Sequence, residues 1–117
     1  MTAKVTIYHN PKCSTSRQVL ETIRAHGHEP EIVPYLETGW SGPLLRRLLK
    51  TAGASPRDFL RAKEPLARDL GLTAEGAKPA AIVAAMLAHP ILVERPIVET
   101  GKGVRLCRPA EKVLDIL

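Results

Sequence analysis

The distribution of apolar positions divides the chain into a strand–helix–strand segment, a long helical segment and a strand–strand–helix segment. A β-branched run in residues 4–8 predicts the first strand, and its continuous apolar character is typical of a central strand. Apolar residues recur at helical spacing over residues 14–26, and Gly27 is suited to end that helix. Residues 31–36 predict a second strand, which Pro34 places at a sheet edge because proline cannot donate a ladder hydrogen bond.

The segment from residue 37 to about residue 90 has the pattern of several short helices. Serine N-caps and prolines at first helical positions mark where these helices begin. The first predicted helix follows Ser41 and has an apolar stripe of Leu44, Leu45, Leu48 and Leu49. Ser55 and Pro56 open a short helix over residues 57–62, with Phe59 and Leu60 facing inward. A turn or helix over residues 64–70, closed by Gly71, and an alanine-rich helix over residues 78–89 follow.

The apolar period changes back to that of strands after Pro90. Strands are predicted at residues 92–93, 96–99 and 104–107, and the last two are joined by a three-residue hairpin loop at residues 101–103. A final helix is predicted to begin at Arg108 and Pro109. Its inward-facing residues are expected to be Val113, Leu114 and Leu117.

This element order predicts an α/β fold with a four-stranded mixed sheet flanked by helices. The first two strands enclose a helix, so they are expected to be parallel with a right-handed crossover. A helical insertion at about residues 38–90 separates strands two and three, within a single domain over residues 1–117. The arrangement corresponds to the thioredoxin-like plan, although a fold alone does not determine a function.

Composition and charge narrow the class of protein. The chain has 117 residues and a net charge of +5, but its basic residues are dispersed and aromatic residues make up only 3%, which argues against a nucleic-acid binder. No apolar run approaches the roughly 18 residues of a membrane span. Residues 1–4 lead into a strand without a signal-peptide pattern, and the two cysteines follow no disulfide or metal spacing. We therefore expect a cytoplasmic protein with free thiols.

Cys13 is the candidate nucleophile because it lies between the first strand and the first helix. Unpaired N–H groups and the helix dipole favour a thiolate there, while the hydroxyls of Ser14 and Thr15 can assist in binding an oxyanion. The alternative is a buried structural cysteine, which is the commonest fate of a free thiol. The polar turn of residues 10–12 favours the nucleophile.

The spacing around Cys13 excludes two familiar motifs. Ser16 stands where a C-x-x-C motif has its second cysteine, and Arg17 is too near for a C-x₅-R phosphatase loop. An intermediate on Cys13 must therefore be resolved by an external thiol. The four histidines show no metal-ligand spacing with the cysteines, so no metal is predicted.

Positively charged donors matter more to the rate than the acidity of the thiol. Lowering the pKa of a thiol by about two units gives a net gain of only about threefold, because nucleophilicity falls with basicity. One oriented donor contributes on the order of 10²–10³ in rate. Arg61, Arg95 and Arg108 are predicted at ends of elements, where guanidinium groups can meet an oxyanion, although a lone arginine is more often a surface charge. His9 can lower the pKa of Cys13 if protonated, or hydrogen-bond within the loop, and both alternatives stay open.

Three blocks of sequence, residues 8–17, 89–98 and 105–109, resemble the glutaredoxin-coupled, ArsC-type arsenate reductases. The resemblance implies that Cys13 attacks arsenate and that Arg61, Arg95 and Arg108 hold the adduct. It further implies glutathione as co-substrate, glutaredoxin as the reducing partner and no bound cofactor. His9 matches the family histidine that helps to activate the cysteine, and Arg95-Pro96 matches the position of a cis proline. Cys107 also matches the family pattern and is interpreted as structural.

Two other functions share this fold. An Spx-like regulator that binds RNA polymerase usually carries a C-x-x-C switch, which Ser16 interrupts here, and it has no use for the arginine set. A general glutathione-dependent thiol oxidoreductase needs no oxyanion pocket. Similarity to the family does not by itself separate arsenate from another substrate.

Overall fold

A computed structural model describes residues 4–117, which fall into two compact units. The first unit contains the described residues up to Thr38 together with Arg95–Leu117, and the second contains Gly39–Glu94. Residues 1–3, part of the segment predicted to lack a signal-peptide pattern, lie outside the described residues. The assignment of residues 1–117 to one domain stays a prediction.

The first unit is built on a four-stranded sheet with the strand order β2-β1-β3-β4. Strand β1 is parallel to β2 and antiparallel to β3, and β3 is antiparallel to β4. The predicted mixed sheet and the edge position of β2 are therefore confirmed. The strands are β1 (Thr6–Tyr8), β2 (Glu31–Val33), β3 (Ile97–Thr100) and β4 (Gly103–Leu106).

One face of this sheet is covered by helix α1 (Ser14–Ala25) and a C-terminal 3₁₀ helix (Ala110–Asp115). Helix α1 ends as predicted, with His26 at its C-cap and Gly27 at a φ of 84° that favours glycine. Burying each of the larger aliphatic side chains between these layers contributes about 1.5–3 kcal/mol. The core contains Val5, Ile7, Val19, Ile23, Val98, Cys107, Val113 and Ile116.

Strand β2 is shorter than the predicted residues 31–36. It ends at Val33 because Pro34 has no N–H group for the ladder, and the next residues form a short helix, α2 (Tyr35–Thr38). The N–H group of Glu37 donates to the carbonyl of Pro34 at 2.8 Å, which closes the first turn of that helix. Strand β1 is also shorter, since it begins at Thr6.

The β3–β4 hairpin has a two-residue loop rather than the predicted three. Gly103 pairs with Thr100, so only Gly101 and Lys102 lie outside the ladder. Gly103 has a φ of 143°, a conformation that side-chain-bearing residues rarely adopt. As a result, β4 begins one residue earlier than predicted. At the other end of the hairpin, β3 begins at Ile97, one residue later than predicted.

The C-terminal helix is a 3₁₀ helix, and this changes which residues face inward. Because a 3₁₀ helix has three residues per turn, Val113 and Ile116 share a face, and both are buried. Leu114 is 48% exposed, so the prediction that it faces inward is wrong. Leu117 packs against the core, as expected.

The second unit contains four α-helices, and its longest one follows the prediction closely. Ser41 Oγ accepts a hydrogen bond from the N–H group of Leu44 at 3.2 Å, which confirms the N-cap. Three of the four predicted stripe residues are buried, and Leu44 is half-buried. The elements are α3 (Gly42–Ala52), α4 (Pro56–Phe59), α5 (Pro65–Asp69), α6 (Pro79–Ala88) and a 3₁₀ turn (Pro90–Leu92).

Two predictions for the second unit are wrong. Residues 92–93 do not form a strand, because Leu92 belongs to the 3₁₀ turn and Val93 makes only an isolated bridge with Leu60. Helix α4 ends at Phe59 rather than residue 62, so Arg61 follows the bridge instead of closing a helix. Phe59 and Leu60 are both buried, as predicted. Within residues 4–117, no helix is long and apolar enough to cross a membrane.

Candidate active site

The candidate nucleophile Cys13 lies in the loop between β1 and α1 of the first unit, where it occupies the N-cap position of α1. The N–H group of Cys13 donates to the carbonyl of Asn10 at 3.0 Å, and Asn10 Oδ1 accepts the N–H group of Lys12 at 3.0 Å. The carbonyl of Cys13 accepts the first helical hydrogen bond, from Arg17, at 3.0 Å. The turn and the helix thus fix the backbone on both sides of a half-buried thiol.

Strand pairing brings two arginines to this end of the sheet. Ile97 of β3 pairs with Tyr8 at the end of β1 and with Leu106 at the end of β4. Arg95 precedes β3 and Arg108 follows β4, so both lie beside the Cys13 loop. Each arginine precedes a cis proline, and the cis bond expected at Arg95-Pro96 is confirmed.

Arg108 and Arg95 surround the sulfur with nitrogen donors. Arg108 Nη1 lies 3.8 Å from Cys13 Sγ and donates to the carbonyl of Arg95 at 3.1 Å. Arg95 Nε and Nη1 are buried and have no hydrogen-bond partner within residues 4–117. Buried donors without acceptors are costly unless a ligand supplies the acceptor, so these two atoms are suited to an oxyanion.

The surroundings of Cys13 favour its thiolate. Burial alone raises the pKa of the thiol, but the backbone N–H group of Ser16 and the side chains of Arg95 and Arg108 outweigh that effect and lower it. The Cys13 side chain makes no capping hydrogen bond of normal geometry to the first turn of α1. The nearby N–H group of Ser16 nevertheless stabilises the thiolate. The expected nucleophile therefore has a physical basis for its reactivity.

The His9 side chain contacts Ser16 of α1 through a hydrogen bond, and its ring does not act as a cation. It is 7% exposed, and its Nδ1 lies 2.6 Å from Ser16 Oγ. Burial, followed by the nearby charges of Arg17 and Arg24, lowers the pKa of His9, so the imidazole is neutral at neutral pH. Of the two alternatives that the sequence leaves open, the structure shows a hydrogen bond, but its partner Ser16 lies in the first turn of α1 rather than in the loop.

Three hydroxyl residues follow Cys13, and only Ser14 and Thr15 were assigned to the site from the sequence. Ser14 is exposed and Thr15 is half-buried, whereas Ser16 is completely buried and hydrogen-bonded. Its position at the third residue of α1 was the available signal, because the amide there points back toward the N-cap.

Arg61 lies in the second unit, where two carboxylates hold it. Its Nη1 donates to Glu94 Oε1 at 2.8 Å, and its Nε lies 3.7 Å from Glu64 Oε2. The N–H group of Arg61 also donates to the carbonyl of Leu92 at 2.8 Å. The guanidinium group is therefore fixed within its own unit, and its assignment to the oxyanion site stays a prediction.

Cys107 has surroundings opposite to those of Cys13. It is fully buried in the core of the first unit, and its Sγ–H group donates to the carbonyl of Arg105 at 3.6 Å. Burial raises the pKa of Cys107 to about 12. We therefore expect this thiol to stay protonated at neutral pH and to be unreactive in the folded protein.

The sequence over residues 8–116 matches the model of the ArsC family. The chain belongs to the ArsC family. It is 50% identical to arsenate reductase ArsI2 of a Synechocystis strain, over 97% of this chain and 81% of that relative. It is 47% identical to an arsenate reductase of Escherichia coli K12, over 98% of this chain and 82% of that relative.

Solved structures of the ArsC family share the fold of this chain. An arsenate reductase from Vibrio cholerae superposes with a TM-score of 0.94 at 42% identity, and the match covers 100% of both chains. The expected thioredoxin-like α/β fold is thereby confirmed. Among residues 4–117 of this ArsC-family chain, no cluster of three or more His, Cys, Asp or Glu side chains is placed to bind a metal ion.

Proposed function

We propose that this ArsC-family protein reduces arsenate to arsenite, with Cys13 as the nucleophile. The observation that carries the proposal is the meeting of a half-buried Cys13 thiol with Arg95 and Arg108 at one end of the sheet. The buried Nε and Nη1 donors of Arg95 have no acceptor within residues 4–117, and arsenate has several anionic oxygens that can accept hydrogen bonds.

In the first step the Cys13 thiolate attacks arsenic(V). A sulfur–arsenic bond forms, an arsenic–oxygen bond breaks, and the departing oxygen leaves as water after protonation. Arg95 and Arg108 donate to the remaining oxygens and stabilise the charge that develops on them. Arg61 is assigned to the same oxyanion through the family resemblance.

The second half of the reaction needs two electrons from external thiols. Glutathione adds to arsenic with loss of a second water, and a thiol of glutaredoxin then attacks the glutathione sulfur. The products are a glutaredoxin–glutathione disulfide and arsenic(III) on Cys13, which water releases as arsenite. Cys107 takes no part because its thiol is buried and protonated. This cycle needs no bound cofactor and suits the reducing cytoplasm.

Relatives and local chemistry favour this function over the two alternatives. The relatives that match nearly the whole chain are named arsenate reductases. An Spx-like regulator has no need of donors directed at the thiol, and Ser16 leaves it without a disulfide switch. A general glutathione-dependent oxidoreductase needs no buried, unpartnered guanidinium nitrogens of the kind found at Arg95.

A coupled assay tests the proposal. Purified protein is mixed with arsenate, glutathione, glutaredoxin, glutathione reductase and NADPH, and NADPH oxidation is followed. We expect oxidation that requires arsenate, glutathione and glutaredoxin, that is lost in Cys13→Ser and that persists in Cys107→Ala. Oxidation that proceeds equally without arsenate would support the general oxidoreductase. Activity that survives Cys13→Ser would exclude the mechanism.

A further inference from the structure

The loop that presents Cys13 is tied to α1 by a buried hydroxyl for which the proposed chemistry has no use. Ser16 Oγ lies 2.6 Å from His9 Nδ1 and accepts a hydrogen bond from the N–H group of Asn10 at 3.2 Å. All three residues are buried. A buried polar network holds one arrangement, because leaving any member unpaired costs free energy.

The network continues from Asn10 to the reactive residue. The carbonyl of Asn10 accepts the N–H group of Cys13 at 3.0 Å, and its side chain accepts the N–H group of Lys12 at 3.0 Å. Ser16 therefore holds the residue that holds the Cys13 peptide. The backbone N–H group of Ser16 also stabilises the thiolate of Cys13. The hydroxyl group of Ser16 thus holds the loop, and its backbone N–H group acts on the sulfur.

His9 has a route to Cys13 through this hydroxyl. Its imidazole is held neutral by burial and by the nearby positive charges of Arg17 and Arg24, so it does not act on the thiolate as a cation. The contact that its ring makes in this network is with Ser16 Oγ. Any influence of His9 on the sulfur is then an influence on the geometry of the turn and of the first turn of α1.

We propose that Ser16 is a positioning residue, which transmits the effect of His9 to Cys13 by fixing the turn of residues 10–13 against α1. The inference rests on the proposed function only in taking Cys13 as the reactive thiolate. It explains why a histidine and a serine seven positions apart are both buried beside a reactive loop.

The rate at which iodoacetamide alkylates Cys13, measured across pH on the full chain without arsenate, tests this role. The variants are Ser16→Ala, His9→Leu, the double variant and His9→Asn, whose side-chain amide can keep a polar atom near Ser16 Oγ. Thr22→Ala is the matched control, since the Thr22 hydroxyl also bonds within α1, to the carbonyl of Gln18 at 3.0 Å. Peptide mapping confirms which thiol reacts.

We expect Ser16→Ala and His9→Leu to move the pH profile upward. Below the midpoint, a rise of about one unit in the pKa of an attacking thiol lowers its rate roughly threefold, because the more basic thiolate is also more nucleophilic. The double variant should react no more slowly than the slower single variant, since both remove the same connection. His9→Asn and Thr22→Ala should keep the original profile.

Three results would overturn the role of Ser16. They are a Ser16→Ala profile equal to that of Thr22→Ala, effects that add in the double variant, and a His9→Asn profile as displaced as that of His9→Leu. Circular dichroism establishes that each variant folds. If Ser16→Ala does not fold, the comparison of His9→Asn with His9→Leu still decides, because Ser16 stays in place.

The two proposals can fail separately. Normal alkylation shifts in a protein without arsenate-dependent NADPH oxidation would retain the role of Ser16 and reject the proposed function. Arsenate reduction with an unchanged alkylation profile in Ser16→Ala would support the proposed function and reject the role of Ser16.

Discussion

The two cysteines of this chain have different groups around their sulfur atoms, and we expect their reactivity to differ for that reason. Cys13 is half-buried, and donors from Ser16, Arg95 and Arg108 lower the pKa of its thiol despite the opposing effect of burial. Cys107 is fully buried in an aliphatic core, where burial dominates and raises the pKa of its thiol. We therefore expect oriented donors around the sulfur to decide which of the two thiols reacts.

The first prediction concerns alkylation of the two thiols. In the folded protein iodoacetamide should modify one thiol, and after unfolding it should modify both cysteines of the chain. Because the pKa of Cys13 is lowered, the alkylation rate of Cys13 should stay high to a lower pH than the rate of an ordinary thiol. It should then fall as the pH drops through the pKa of Cys13. Mass spectrometry of timed samples measures this. Rapid labelling of Cys107 in the folded protein would contradict the assignment.

The second prediction concerns the donors that face Cys13. Arg95→Ala and Arg108→Ala should each weaken anion binding about 10- to 100-fold, the value of a hydrogen bond to a charged group. Protection of Cys13 from alkylation by sulfate or arsenate measures this affinity at a pH where the thiolate is fully formed. Arg46→Ala, on the exposed face of α3, is the control and should bind as the parent does. Equal protection in all three variants would remove these arginines from the site.

At the scale of the element, helix boundaries that depend on one local residue type were predictable. The Ser41 cap at the start of α3 and the turn at Gly27 after α1 use residue types that favour those conformations in most surroundings. Other element boundaries and the inward faces were less predictable. The C-terminal segment could be assigned to an α-helix or a 3₁₀ helix from its pattern, and that choice alone decides whether Leu114 or Ile116 is buried.

The third prediction tests the start of α3. Ser41→Ala removes the acceptor for the N–H group of Leu44 and should lower the free energy of unfolding by about 1 kcal/mol. Thr51→Ala, at an exposed position of the same helix, is the matched control and should change it by less than about 0.5 kcal/mol. Urea denaturation of both variants measures the difference. Equal midpoints would show that the cap does not stabilise the protein.

At the scale of the whole molecule, most residues of the candidate site were predictable, but the contacts that bring them together were not. Cys13 was found from local pattern, while the choice of Arg95 and Arg108 came from element ends and family resemblance. The pairing of Tyr8 with Ile97, which brings the arginines to the loop, depends on a strand register that no local pattern specifies. The buried Ser16 contact depends on tertiary packing in the same way.

The fourth prediction tests the arginine that lies in the second unit. If Arg61 contacts the oxyanion during the reaction, Arg61→Ala should lower arsenate-dependent NADPH oxidation by at least about tenfold, a value typical of one lost charged hydrogen bond. It should leave the pH profile of Cys13 alkylation unchanged. Arg68→Ala, an exposed arginine of the same unit, is the control. Full activity in Arg61→Ala would exclude Arg61 from the reaction.

The proposed reaction depends on a bond between arsenic and the sulfur of Cys13. Arsenic X-ray absorption of the protein with arsenate and glutathione, without glutaredoxin, measures the atoms bonded to arsenic directly. We expect an arsenic–sulfur bond in the parent protein and in Cys107→Ala that is absent from Cys13→Ser. A Cys13→Ser spectrum identical to that of the parent would contradict it.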